Sequence, residues 1–231
     1  MKKILLFTLM LFFVYSYSQN DLCTNATTLT PNTNCVNTNG TFSGSSISTT
    51  APSCAPVASQ DVWYQFVATD PTMSVWVSTT TNNVAFEILQ NSCNGSVTAC
   101  VNNNGAGSGE FYLNNNFVVG QTYLVRVLNA STALSTSAFN ICIQNYPTPV
   151  NDLCANAITL TPNTNCVNTN GTFSGSSIST TAPSCAPVGS QDVWYQFVAT
   201  DPTMSVWVST TTNNVAFEIL QNSCNGSVTA C

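Results

Sequence analysis

Residues 20–100 of this chain occur twice. Asn20-Asp21-Leu22-Cys23 returns as Asn151-Asp152-Leu153-Cys154, and from there to Cys231 the copies align without a gap over 81 positions. They differ at three: Thr24/Ala155, Thr27/Ile158 and Ala58/Gly189. The offset of 131 residues is the size of a whole domain, well beyond the roughly 20–50 residues of a solenoid repeat. The chain reads as a tandem array: a first repeat over 20–146, a Pro-rich linker over 147–150, and an incomplete second repeat over 151–231. A longer natural product with further domains is expected.

Within each copy one stretch predicts an interior β-strand. Gln60 to Thr69, repeated as Gln191 to Thr200, is aromatic and β-branched and contains neither Gly nor Pro, which favours a pleated strand. Alternation puts Val62, Tyr64, Phe66 and Ala68 on one face and Asp61, Trp63, Gln65 and Val67 on the other. Because the second face still carries Trp63 and Val67, protein is expected on both sides. Met73 to Ser78 alternates as well, with Met73, Val75 and Val77 inward and Ser74, Trp76 and Ser78 outward. Val84–Leu89, Phe111–Val119, Tyr123–Leu128 and a last strand marked by Phe139, Ile141 and Ile143 follow. Asn39-Gly40 reads as a turn, with Thr41–Thr50 as an edge strand. About eight short strands with turn signals every 8–12 residues and no helical period predict an all-β fold. The expected form is tandem antiparallel β-sandwich, jelly-roll-like domains, the second copy truncated. Residues 101–146 are expected to complete the first copy, since that stretch is made with it and can close before residue 231 exists.

The N-terminus reads as a signal peptide over residues 1–18. Lys2 and Lys3 precede an apolar run from Ile4 to Val14, and Ser16-Tyr17-Ser18 offers small residues for cleavage. An anchor is the alternative, but the run falls short of the ~20 residues that span a bilayer. After cleavage Arg126 is the only cation against nine carboxylates. That balance excludes the basic footprint of nucleic-acid binding and the patch that anionic membranes attract. The chain has no histidine, which removes Ser-His-Asp and Cys-His nucleophile pairs and His-containing zinc sites. Eleven cysteines in an exported chain point to disulfides. The Gly-rich loop Asn102–Gly109 lacks the Lys and the helix that a phosphate site would need.

Several stretches together resemble a known family: the Asn20-Asp21-Leu22-Cys23 start, the strand Asp61-Val62-Trp63-Tyr64-Gln65-Phe66, the Cys93/Cys100 loop, and Gly120 to Val127. They resemble the β-sandwich repeats of secreted bacterial proteins related to the pre-peptidase C-terminal domain, common in multidomain proteins of the type IX secretion route. The resemblance covers 20–146 and 151–231. It implies a non-catalytic accessory module, secreted or at the cell surface, often beside a peptidase or adhesin.

Trp76 and its repeat Trp207 are the sharpest binding candidates, since an indole on the polar side of a strand can stack on a sugar ring or a protein partner. The alternative is an indole covered by a loop or a neighbouring domain. Tyr112, sharing a face with Glu110 and Asn114, extends the candidate surface. Trp63 is assigned to the core. Asp21, Asp61, Asp70, Glu87 and Glu110 are oxygen donors of the kind calcium takes, but no calcium-loop spacing joins them; no metal site is assigned. Arg126 is expected to pair with one of these acids.

For the disulfides, the short Cys93–Cys100 loop predicts a bond between those two, and likewise Cys224–Cys231. Cys35–Cys54, with its repeat Cys166–Cys185, and Cys23–Cys142 are expected next; Cys23–Cys35 with Cys54–Cys142 is the open alternative. The functional expectation is an exported binding or adhesion module for a glycan or a surface protein. A stapled structural spacer is the second reading, and accessory domains of a secreted hydrolase the third.

Overall fold

The strand expected at the centre of the first repeat takes an interior place because both of its faces carry buried side chains. In the computed structural model, which describes residues 20–56, 58–131, 133–178, 183–211 and 214–231, it is β3 (Asp61–Val67). The signal peptide expected over residues 1–18 lies outside the described residues. The chain divides into two units at Asn145/Tyr146.

Among the described residues the first unit contains nine strands in two sheets. β3 lies in a five-stranded sheet with β1 (Thr27–Thr28), β5 (Val84–Gln90), β6 (Val97–Val101) and β8 (Thr122–Asn129), in the order β1-β3-β8-β5-β6. β2 (Thr38–Thr41), β4 (Met73–Ser78), β7 (Glu110–Asn114) and β9 (Ala138–Asn145) form a four-stranded sheet ordered β2-β9-β4-β7. All pairings are antiparallel except the short β1, which runs parallel to β3. Strands from 97–145 thus pair with strands from 20–100 throughout.

The core fills the space between the sheets. Val62, Tyr64 and Phe66 of β3, Val84, Phe86 and Ile88 of β5, and Tyr123, Val125 and Val127 of β8 face Met73, Val75 and Val77 of β4 and Phe139, Ile141 and Ile143 of β9. The rings interlock: Phe66 stacks on Tyr123 at 5.6 Å, and Phe117 meets Tyr123 edge-on at 4.9 Å. Such pairs add roughly 0.5–1.5 kcal/mol each beyond the area they bury.

Asn39-Gly40 departs from the expected turn and lies in the middle of β2, opposite Asn140 and Phe139. The glycine is there for close approach, because a Cβ at Gly40 would run into the Phe139 ring and the Tyr64 hydroxyl. The edge strand therefore ends at Thr41, where 41–50 was expected to form it, and Phe42 turns into the core.

The disulfides also correct the expectation. They join Cys23–Cys93, Cys35–Cys142 and Cys54–Cys100. Cys93 and Cys100 are close in sequence, but Cys93 sits in the β5–β6 turn while Cys100 lies on β6, three residues beyond the Leu89–Val97 pair. That is about 10 Å along a strand, so neither Cys93–Cys100 nor its repeat Cys224–Cys231 forms. Cys35–Cys54, Cys23–Cys142 and the alternative pairings do not form either: Cys35 and Cys54 bond to cysteines on β9 and β6, and Cys23 bonds to the β5–β6 turn. The second unit repeats this pattern with Cys154–Cys224 and Cys185–Cys231, leaving Cys166 free and exposed, with no bond to Cys185.

The second unit, Tyr146–Cys231, holds a parallel pair, β10 (Ile158–Thr159) with β11 (Tyr195–Gln196). It also holds an antiparallel pair, β12 (Ile219–Leu220) with β13 (Val228–Ala230). Met73, Val75, Val77 and Phe86 are fully buried in the first unit. Their repeats Met204, Val206, Val208 and Phe217 are 37–45% exposed. Nearly identical sequence is buried only where strands like those of 97–145 cover it.

Candidate functional site

The two sheets treat their outer faces differently. On the five-stranded sheet that face is closed in three patches. Trp63, Leu89 and Leu124 pack under the Cys23–Cys93 bridge. Ala85, Leu128 and Ala130 pack with Ala55. Between them the register lines up Trp63, Arg126, Glu87 and Cys100 across β3, β8, β5 and β6. Arg126 donates from Nε to Asp61 Oδ2 (2.5 Å) and from an Nη to the Thr50 carbonyl (2.7 Å), with Glu87 at 3.5 Å and its guanidinium 5.4 Å from the Trp63 ring centre. Glu87 in turn accepts from the Ser53 amide and hydroxyl, and Cys54–Cys100 fastens that loop down. Burial lifts the Asp61 carboxyl above its ordinary range, with Arg126 pulling against the rise. Arg126, the one cation among the described residues, is thus a buried structural group, as its expected pairing with acids implied.

On the four-stranded sheet the outer face is open. Trp76 is 47% exposed, Phe111 45% and Leu113 52%. In register, Cys142, Trp76 and Phe111 form one row across β9, β4 and β7. The indole and the Phe111 ring meet edge-on at 5.6 Å. The next row on this face, Asn39, Asn140 and Ser78, crosses β2, β9 and β4. Together with Thr79, Thr80, Ala138 and Phe139 these residues line a recess of about 350 Å³. Cys35 reaches over the edge strand to Cys142 and fixes that side of the face. An aromatic platform beside amides and hydroxyls can stack on the C–H face of a ring and hydrogen-bond its substituents. No acid or base lines the recess.

Trp76 therefore lies on the open face. Tyr112 does not: it pairs with Val75 and packs against the core, so it leaves the candidate surface. Polar flanking residues pointed to the wrong side of β7, because Glu110 is itself buried, accepting the Asn104 amide at 2.7 Å. Phe111 and Leu113 take the outward positions, and strict alternation from Met73–Ser78 across the sheet was the signal for them. Trp207 is 78% exposed in a segment without strand structure, and residues 151–231 contain no counterpart of Phe111 or Cys142.

The acids are dispersed. Asp21 holds the Ser46 amide and hydroxyl, Asp70 the Thr72 amide, and Asp61 and Glu87 the guanidinium. Among the described residues no three Asp, Glu or Cys side chains gather as a metal site would require.

A disulfide-stapled sandwich with one sheet face open leaves that face free for a partner. The galactose-binding-domain-like family associated with type IX secretion matches residues 19–141 and again 150–231, and the chain belongs to it. The match agrees with the expected resemblance to β-sandwich repeats of type IX-secreted proteins. Its membership and the disulfides mark an extracellular or cell-surface protein. No curated protein matches the chain. Among solved structures it is similar to the pre-peptidase C-terminal domain of collagenase from Bacillus anthracis, at 10% identity and a TM-score of 0.33, over 51% of this chain and 93% of that one. It is also similar to PliG of Aeromonas hydrophila, a periplasmic inhibitor of g-type lysozyme, at 13% identity and a TM-score of 0.31, over 52% and 97%. No described helix is long and apolar enough to cross a membrane.

Proposed function

We propose that the first unit is an extracellular carbohydrate-binding module, used for adhesion or for tethering the rest of the protein to a glycan surface. The observation that carries this reading is the half-exposed Trp76, held against Phe111 on a part of the sheet face left open among the described residues. A family described as galactose-binding-domain-like supports it. In this reading residues 1–18 direct export, 20–146 form the binding repeat, 147–150 link, and 151–231 carry the second repeat. The three bridges of the first unit favour a second reading, a stapled spacer with no ligand.

Retention on immobilised polysaccharides separates the two. Trp76→Ala abolishes retention while lowering stability by only about 1 kcal/mol, the worth of the lost ring contact. Trp207→Ala leaves retention unchanged. A Trp76→Ala protein that binds as tightly as wild type, or that unfolds outright, overturns the binding assignment. A wild type retained by no polysaccharide supports the spacer.

A further inference from the structure

The row of polar residues beside Trp76 has no work within the fold. Thr79 Oγ accepts from the Thr81 and Asn82 amides, but among the described residues no intramolecular side-chain hydrogen bond engages Asn39, Ser78, Thr80 or Asn140. Two amides and two hydroxyls thus stand with their hydrogen-bonding capacity free around the 350 Å³ recess. That volume is within the range of small-ligand sites, roughly 300–1,000 Å³. Ser78 follows Trp76 by two positions on the same face of β4, about 7 Å along the strand. The platform and the recess are therefore adjacent and separate.

Charge decides the class of ligand. No Asp, Glu, Lys or Arg lines the recess. The only cation among the described residues, Arg126, is buried on the other sheet between Asp61 and Glu87. An acidic sugar would meet no compensating charge there, and every other ionised side chain among the described residues is a carboxylate. Resting on the carbohydrate reading above, we propose that this face takes an uncharged oligosaccharide of at least two units. One ring stacks on Trp76, and its neighbour gives hydroxyl hydrogen bonds to Asn39, Asn140, Ser78 and Thr80. Amides both donate and accept, so they suit hydroxyl groups, which do the same. Recognition of this kind is independent of ionic strength, because it contains no ion pair for salt to screen.

The test uses the full chain on a panel of neutral polysaccharides, each beside its sulfated or carboxymethylated derivative. Retention is measured at about 0.02 M and about 0.5 M salt, a range over which the screening length falls several-fold. Neutral polymers are expected to retain the protein with less than a twofold change between the two salts. Asn140→Leu is expected to weaken binding about tenfold, the equivalent of one to two lost hydrogen bonds, and Trp76→Ala to abolish it. Circular dichroism confirms that both variants fold, and Ser78→Ala serves as a second, smaller probe of the recess.

Retention confined to the acidic derivatives, dependent on Trp76 and lost at high salt, would overturn the neutral-ligand inference and leave the carbohydrate reading standing. Trp76-dependent binding of neutral polymers that is indifferent to Asn140→Leu and Ser78→Ala would remove the recess from the site. No retention on any polymer would bring down both the inference and the reading beneath it.

Discussion

Arg126→Met tests whether the covered sheet depends on its buried charges. The guanidinium stands between Asp61 and Glu87 and also holds the Thr50 carbonyl, and all three charged side chains are almost completely buried. Methionine fills much of the same volume but leaves two carboxylates without a cation. Removing one partner from a buried ion cluster costs about 3–5 kcal/mol, and the lost bond to Thr50 adds about 1 kcal/mol. For a unit of this size each kcal/mol lowers the midpoint by roughly 3–5 °C, so a fall of about 12–30 °C is expected. Calorimetry on the full chain with disulfides intact measures it. The triple variant Arg126→Met, Asp61→Asn, Glu87→Gln removes the charges together and is expected to return to within about 2 kcal/mol of wild type, since an uncharged replacement of a buried cluster is often neutral. A single variant that loses less than about 1 kcal/mol, or a triple variant less stable than the single, would refute the argument.

The same cluster predicts an unusual response to acid. Burial raises the folded-state pKa of Asp61 above 3.8, so the native state holds this proton more tightly than the unfolded chain. Its contribution to stability is fully present below 3.8 and is lost as pH rises through the raised value. The midpoint of wild type relative to Asp61→Asn should therefore fall between acid and neutral pH; a rise would mean that Arg126 outweighs burial. Gly40→Ala is expected to cost about 1–3 kcal/mol by overpacking against Phe139 and Tyr64, whereas Gly105→Ala, with open space around it, should be neutral in urea unfolding. Replacing Cys54 and Cys100 by Ser opens a loop of 46 residues and is expected to cost about 4 kcal/mol. A smaller loss in denaturant titration would show that the ion cluster alone holds the 50–54 loop.

What the sequence reveals here is what is local. Alternation along Gln60–Thr69, Met73–Ser78 and Tyr123–Leu128 assigns the core-facing positions correctly, because each side chain's face is set by its own strand. Trp63 in the core and Trp76 outside follow from the same rule. Disulfide partners are set by which strand lies beneath which loop, and β6 at one edge and β9 in the other sheet cannot be placed from spacing alone. That is why adjacency misled at Cys93 and Cys100. Gly40 carried a turn signal but serves a ring packed above it from β9, about a hundred residues later. The open face needed the same long-range information: Phe111 joins Trp76 only through the β4–β7 register.

That long-range wiring has a consequence for how the molecule comes into being. β2 waits for β9, β3 waits for β8, and Cys35 waits for Cys142, 107 residues downstream. Closing such distant pairs is slow compared with local structure, and no interior strand of either sheet has both neighbours until β8 and β9 have been made. A chain wired in this way remains a threadable polymer through most of its synthesis. It can pass a narrow pore before it has a shape that would block one.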